Sequence, residues 1–323
     1  MRRGLLAGAA LAVVAAVMLF GAAAHAQAWP DRPLRIIVPF PPGGGFDGIA
    51  RPFAERLGQV LGQTVLIDNR AGAAGNIGAQ AAARAVPDGY TLLFANDFLA
   101  TNQPMYKAPG YDSVKDFVPI SAIATVSQGI AVAPSSPAKD LKELIALSKT
   151  RRLSVATPGI GSVPHLLVEL INLDGSMRLL NVPYKGSSPA VTDAMGGQVD
   201  MVLTTLPSLT PHIRSGKLRG IAVMGARRDP SLPELPTFNE AGGNLVGGDI
   251  WYALFAPTGT PEPVLRRLRE ATREVLGQPD LVERMRAGGY ELGGSTPEAL
   301  AARVRNDIDK WRRVIVEAKI PVE

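Results

Sequence analysis

Gly43, Gly44 and Gly45 stand between an apolar run, Leu34-Arg-Ile-Ile-Val38, and a helix-like pattern that begins near Asp47. Glycine lets the backbone turn sharply and approach a ligand closely, and the unpaired N–H groups at the start of a helix attract negative charge. The chemistry this offers is capture of a small anion by backbone amides. The same design returns about 120 residues later, with strand-like Leu153-Ser-Val-Ala156, the loop Thr157-Pro-Gly159-Ile-Gly161-Ser162, and helix-like Val163 to Leu170 with His165 in its first turn. Two such loops in one chain suggest one ligand held between two lobes.

A competing chemistry shares the first loop. Gly43-x-Gly45-x-x-Gly48 matches a dinucleotide fingerprint between a strand and a helix, and Asp68 follows 20 residues after Gly48 at the end of the next strand, where a ribose-binding acid would stand. Against it, Pro39-Phe-Pro-Pro42 lengthens and stiffens the loop, and Asp47 would set a carboxylate beside the pyrophosphate. Other enzyme signatures are missing: there is no G-K-[ST] phosphate loop, no G-x-S-x-G elbow, and only His165 and His212 lie beyond the first 26 residues. The chain has no cysteine, which excludes structural disulfides, thiolate metal sites and a lipoprotein anchor. No catalytic residue, metal or cofactor is expected.

These loops need an exported scaffold. Arg2 and Arg3 precede an uncharged run, Gly4 to Ala24, and Ala24-His-Ala26 is an A-x-A cleavage site, so residues 1–26 read as a secretory signal peptide and the protein is expected in the periplasm. A membrane anchor is the other use of such a run, since ~20 apolar residues span a bilayer, but its alanine and glycine content and small-residue exit favour cleavage. The composition is globular, at 46% hydrophobic and 20% charged, and the formal charge of +5 is spread over isolated pairs such as Arg151-Arg152 and Arg312-Arg313. With aromatics at only 6%, nothing resembles a nucleic-acid surface.

Strand-like and helix-like periods alternate along the rest of the chain. Thr64 to Asp68, Tyr90 to Ala95, Val199 to Leu203, Leu218 to Met224 and Trp251 to Ala256 read as strands, which points to beta-alpha-beta units and largely parallel sheets. Ser136-Pro137, Ser188-Pro189 and Thr296-Pro297 read as helix starts. The last of these places Val304, Ile308, Trp311 and Ile315 on one core-facing stripe. Pro52 predicts a bend in the first helix or a later start. Pro119 to Pro134 and Leu235 to Pro257 are the two segments expected to cross between lobes. The expected division is residues 27–128 plus 253–323 in one lobe and 129–252 in the other.

Trp29-Pro-Asp-Arg-Pro-Leu-Arg-Ile-Ile-Val-Pro-Phe40, Gly43-Gly-Gly-Phe-Asp47, Asp68-Asn-Arg-Ala-Gly-Ala-Ala-Gly-Asn-Ile-Gly78, Pro87-Asp-Gly-Tyr-Thr-Leu-Leu93, Val182-Pro-Tyr-Lys-Gly186, Gly196-Gly-Gln-Val-Asp200, Pro211-His-Ile213 and Ser215-Gly-Lys-Leu218 follow one another in order. Together they resemble the substrate-binding receptors of tripartite tricarboxylate transporters, also called the Bug family. The resemblance implies an α/β periplasmic binding protein of the second structural type, with two lobes, each a mostly parallel sheet flanked by helices, and a ligand cleft between them. It implies a monomer that takes a small organic acid or an amino acid and presents it to a membrane permease with large and small subunits, or acts as an orphan sensor.

Carried over by position, the ligand loops are Phe40, Pro42, Gly43, Gly44, Gly45, Phe46 and Asp47, then Thr157, Gly159, Gly161 and Ser162 with His165. The amides of Gly43 to Gly45 would face one carboxylate, and Ser162 with the Gly161 amide the other end. Asp47 either caps its own helix or binds a ligand ammonium; His165 is a structural hydrogen-bond partner or a contact. Lys185 and Ser187 are rim or surface residues. After the strand that ends Phe94-Ala-Asn96-Asp97-Phe98, where relatives usually have small hydroxyl residues or glycine and Asn96 is a further expected contact, Asp97 and Phe98 would narrow the pocket or repel a second carboxylate; Phe46 replaces a small residue, and Thr204-Thr205 stands where an acid or amide is common. These departures suggest a monocarboxylate with an apolar or aromatic body rather than citrate.

Overall fold

The computed structural model describes residues 29–43, 45–244 and 247–323; the expected signal peptide, residues 1–26, and Gly44 lie outside them. The chain first forms β1 (Leu34–Val38), α1 (Gly45–Leu61), β2 (Val65–Asn69), one 3-10 turn (Ala73–Gly75), α2 (Asn76–Ala83), β3 (Thr91–Asn96), α3 (Phe98–Met105) and β4 (Phe117–Val126). It continues through β5 (Gln128–Val132), α4 (Leu141–Thr150), β6 (Leu153–Thr157), α5 (Val163–Leu173), β7 (Leu179–Pro183), α6 (Ser187–Met195), β8 (Met201–Thr205), α7 (Leu206–Arg214) and β9 (Arg219–Val223). It returns in β10 (Ile250–Pro257), α8 (Glu262–Leu276), α9 (Pro279–Ala287), β11 (Glu291–Leu292) and α10 (Pro297–Glu317).

The strands make two sheets, ordered β11-β4-β10-β3-β1-β2 and β7-β6-β8-β5-β9. Pairing is parallel where helices cross over, from β1 to β2 and β3 and from β6 to β7 and β8. It is antiparallel where the chain leaves and returns: β10 runs against β3 and β4, and β5 against β8 and β9. The first passage between sheets is a single residue, Ser127, and the second lies between Val223 and Ile250. The first is much shorter than Pro119 to Pro134 because β4 and β5 extend to either side of it, and Gly129 lies inside β5 instead of in a loop.

Local starts explain most helix positions and correct several expectations. Helix α4 begins at Leu141, not after Ser136-Pro137: Asp140 accepts the Glu143 N–H at 2.9 Å while the Glu143 carboxylate accepts the Lys139 N–H at 2.6 Å. Helix α6 starts one residue before Ser188-Pro189, after Gly186 at φ 109°, a conformation that suits glycine. Thr296 caps α10 as expected, accepting the Ala299 N–H at 3.2 Å. Helix α1 begins at Gly45, earlier than Asp47, and continues through Pro52. Burial of Ile49, Phe53 and Leu57, each worth ~1.5–3 kcal/mol, outweighs the ~3 kcal/mol cost of an interior proline.

One contiguous core joins both sheets, taking Ile36, Phe94 and Leu254 from the first and Ile130, Val155 and Leu203 from the second. Helix α10 buries the stripe Val304, Ile308, Trp311 and Ile315 and packs on α3 and β4 on one side and α5 on the other. It thereby braces the floor on which the cleft is built.

Candidate functional site

A cavity of about 340 Å³ opens where β3, β6 and β8 end, at the carboxyl edges of strands from both sheets. Open α/β sheets bind ligands at such edges. Phe40 reaches it from the first glycine loop, Asn96, Asp97 and Phe98 from the β3–α3 junction, and Pro158 to Pro164 from the second glycine loop. Ser187 at the start of α6, Thr205 at the end of β8 and Ile250 at the start of β10 complete the wall. A larger open groove of about 1040 Å³ lies between α7 and α9, beside Arg214 and Arg286, and holds neither glycine loop.

The second loop is built as an anion cradle. Ser162 caps α5: its Oγ donates to the Gly159 carbonyl at 2.7 Å and faces the His165 N–H at 3.4 Å. The Gly161 N–H donates to His165 Nδ1 at 3.0 Å, so that nitrogen is unprotonated. Burial pushes the imidazole's pKa down, against the pull of Glu169, and keeps it neutral. Gly161, at φ 73°, has the left-handed geometry this turn needs. The Val163 N–H, in the first turn of α5 and on the cavity wall, has no partner among the described residues and is a donor of the kind helix starts offer anions.

The first loop is held differently. Asp47 is buried inside the first turn of α1, and its carboxylate accepts from the Gly43 N–H at 3.0 Å, Arg51 Nε at 2.5 Å and Asn69 Nδ2 at 3.2 Å. Burial opposes ionisation there, but the bonds from Arg51, Gly43 and Asn69 outweigh it and hold the carboxyl below its usual range. Asn69 also donates to the Phe40 carbonyl at 3.0 Å, which fixes the residue that enters the cavity. Phe40 stacks on Phe46 at 4.7 Å between ring centroids and meets Phe98 edge-on at 5.7 Å.

Of the residues expected to touch ligand, Phe40, Asn96, Phe98, Gly159, Gly161, Ser162 and Thr205 border the cavity. The others do not. The Gly43 amide is committed to Asp47, and Gly45 and Pro42 lie outside the wall; Gly44 is outside the described residues. Asp47 is therefore a clamp on the loop, neither its helix cap nor a free acid. Phe46 supports Phe40 from beneath, Thr157 bonds Asn181 at 2.6 Å, and Thr204 is fully buried against Ser187 Oγ at 2.8 Å. His165 anchors its loop from behind, and Lys185 is exposed away from the cavity. Sequence reading missed Ala74, Thr101, Asn102, Met105, Tyr106, Ile250 and Glu323, which long-range packing brings to the wall. Asp97, only 6% exposed, has its pKa pushed up to about 8 by burial and by the negative charge of Asp307, with Arg303 opposing.

Residues 49–320 match the model of the tripartite tricarboxylate transporter family receptor. The chain belongs to that family. BugT of Bordetella pertussis is 35% identical over 313 residues, covering 96% of each chain. The fold superposes on the periplasmic binding protein BugD with a TM-score of 0.77 at 36% identity, covering 91% of this chain and 100% of that one. An R. palustris protein solved with adipate gives 0.81 at 34%, covering 91% and 100%. This family membership makes the chain a solute-binding receptor and overturns the dinucleotide-enzyme alternative. Asp68, the candidate ribose acid, is instead paired with Arg70 at 2.9 Å and Arg35 at 3.7 Å.

Proposed function

We propose that this receptor works in the periplasm after loss of residues 1–26, closes two lobes on a small organic carboxylate, and presents it to a permease with large and small subunits. The lobes are residues 27–128 plus 253–323 and residues 129–252. The observation that carries this reading is the cavity at the strand ends of both sheets, with the start of α5 on one wall and Phe40 and Phe98 on the other. A carboxylate lies against the Val163 amide and Ser162, and the body of the ligand lies on the rings. The solved relative with adipate supports an organic acid as ligand. Among the described residues no lysine or arginine borders the cavity, which favours a single carboxylate on an apolar or aromatic body.

A thermal-shift screen of residues 27–323, stripped of carried-over ligand by partial unfolding, tests this. A ligand bound only by the native state stabilises it by about 2.7 kcal/mol at about 100 times Kd. A rise with a monocarboxylate and no product formation is expected. Tighter binding of citrate than of any monoacid overturns the ligand class, and no response to any acid overturns the receptor reading.

A further inference from the structure

Building on that receptor reading, we propose that Asp97 selects the ligand, and that the ligand is a monocarboxylate carrying an amino or alkylammonium group on an apolar body. Asp97 borders the cavity while almost fully buried, and its carboxyl's only hydrogen-bond partner among the described residues is its own backbone N–H. The charges acting on it from the elements packed around it are Asp307, which repels, and Arg303, both on α10; Tyr252 of β10 is neutral. With no cation on the wall, a buried carboxyl at the cavity's border is satisfied by a charge that the ligand brings.

The cavity is thus dipolar, with the positive start of α5 at one wall and Asp97 at another. Phe40 and Phe98 border the same space, and aromatic rings add to the binding of alkylammonium groups. Of the other acids, Asp47 is already taken by Arg51, Gly43 and Asn69, and Glu323, on the same wall, is engaged by the Tyr106 hydroxyl. Burial leaves Asp97 protonated near pH 7 in the empty cleft. When an ammonium ligand binds, that proton passes to solvent, the ligand keeps its own protons, and a carboxylate–ammonium pair forms. One proton is released per ligand at pH 7, and affinity tightens as pH rises from about 6 to about 8.

The test is calorimetric titration of the full receptor with the common apolar and aromatic amino acids and with their desamino acids, for example phenylalanine against 3-phenylpropionate and leucine against 4-methylpentanoate. Each titration is repeated in two buffers of different ionisation enthalpy. The expected result is a preference of about tenfold or more for one amino acid over its desamino partner, with proton release. Asp97→Asn and Asp97→Ser, two variants so that one misfolded protein does not decide the outcome, should abolish both the preference and the release. A desamino acid bound as tightly as its amino acid, or a preference retained in both variants, overturns this inference and leaves the receptor reading standing. Binding of neither set overturns this inference, and the receptor reading falls only if di- and tricarboxylates fail to bind as well.

Discussion

Ser127 Oγ donates to Asp249 Oδ1 at 2.8 Å, so the two stretches of chain that pass between the sheets are tied to each other where they cross. Asp249 is pushed toward protonation by burial, and the Ser127 bond is the strongest influence favouring its charged form. Ser127→Ala is expected to cost about 1–2 kcal/mol. In a double-mutant cycle with Asp249→Ala, measured by urea unfolding, the two single costs should overlap by about 1 kcal/mol. Simple additivity would show that the tie contributes nothing.

The neutral His165 ring accepts the Gly161 N–H, and this bond is lost when Nδ1 gains a proton. Because burial lowers its pKa in the folded protein, its contribution is present above the unfolded value and is lost as pH falls through the folded one. Ligand affinity should therefore weaken at pH values below the ordinary histidine range, and His165→Ala should weaken it by about tenfold at pH 7 and flatten the acid limb. Calorimetric titration from pH 5 to pH 8 reads both effects; an unchanged acid limb in the variant would remove His165 from the account.

Asp97 has the opposite sign. Its folded pKa is raised, so its contribution to stability is full below the unfolded value and declines as pH rises toward about 8. Without ligand, Asp97→Asn should melt above the wild type at pH 8, with the gap closing toward pH 5, as scanning calorimetry would show.

Asp47 holds the first loop without touching the cavity. Asp47→Ala, which leaves the Gly43 and Asn69 donors unpaired, should cost about 2 kcal/mol in denaturant unfolding. The rank order of ligands should stay as it is, and a reordering would place Asp47 in the site.

Phe98→Ala should cost about 3 kcal/mol, since the ring is 6% exposed and packs against Phe40. It should also shift preference toward larger acids. A variant with the same ligand profile would mean that the ring does not bound the ligand.

The two glycine loops were legible because each joins a short apolar strand to a patterned helix, and that local signal needs nothing from the rest of the chain. Ser162 read as a ligand contact, and the structure adds that it caps α5. Asp47 and Thr157 could not be assigned, because their partners Asn69 and Asn181 come from other strands and turn apparent ligand groups into internal bonds. The β4–β5 stretch read as a connection because Pro119, Ser127, Gly129 and Pro134 stand within it, although sheet pairing holds nearly all of it in strands. Met105, Tyr106 and Ile250 reach the cavity only through sheet pairing and the packing of α3, which no local pattern encodes.

Strand β10 lies between β3 and β4 and pairs with both, yet it leaves the ribosome only after every strand of the second sheet. The first sheet cannot close on partial synthesis, and its pairings have high contact order, which slows folding. The half that is made first therefore stays pliable until most of the polypeptide exists.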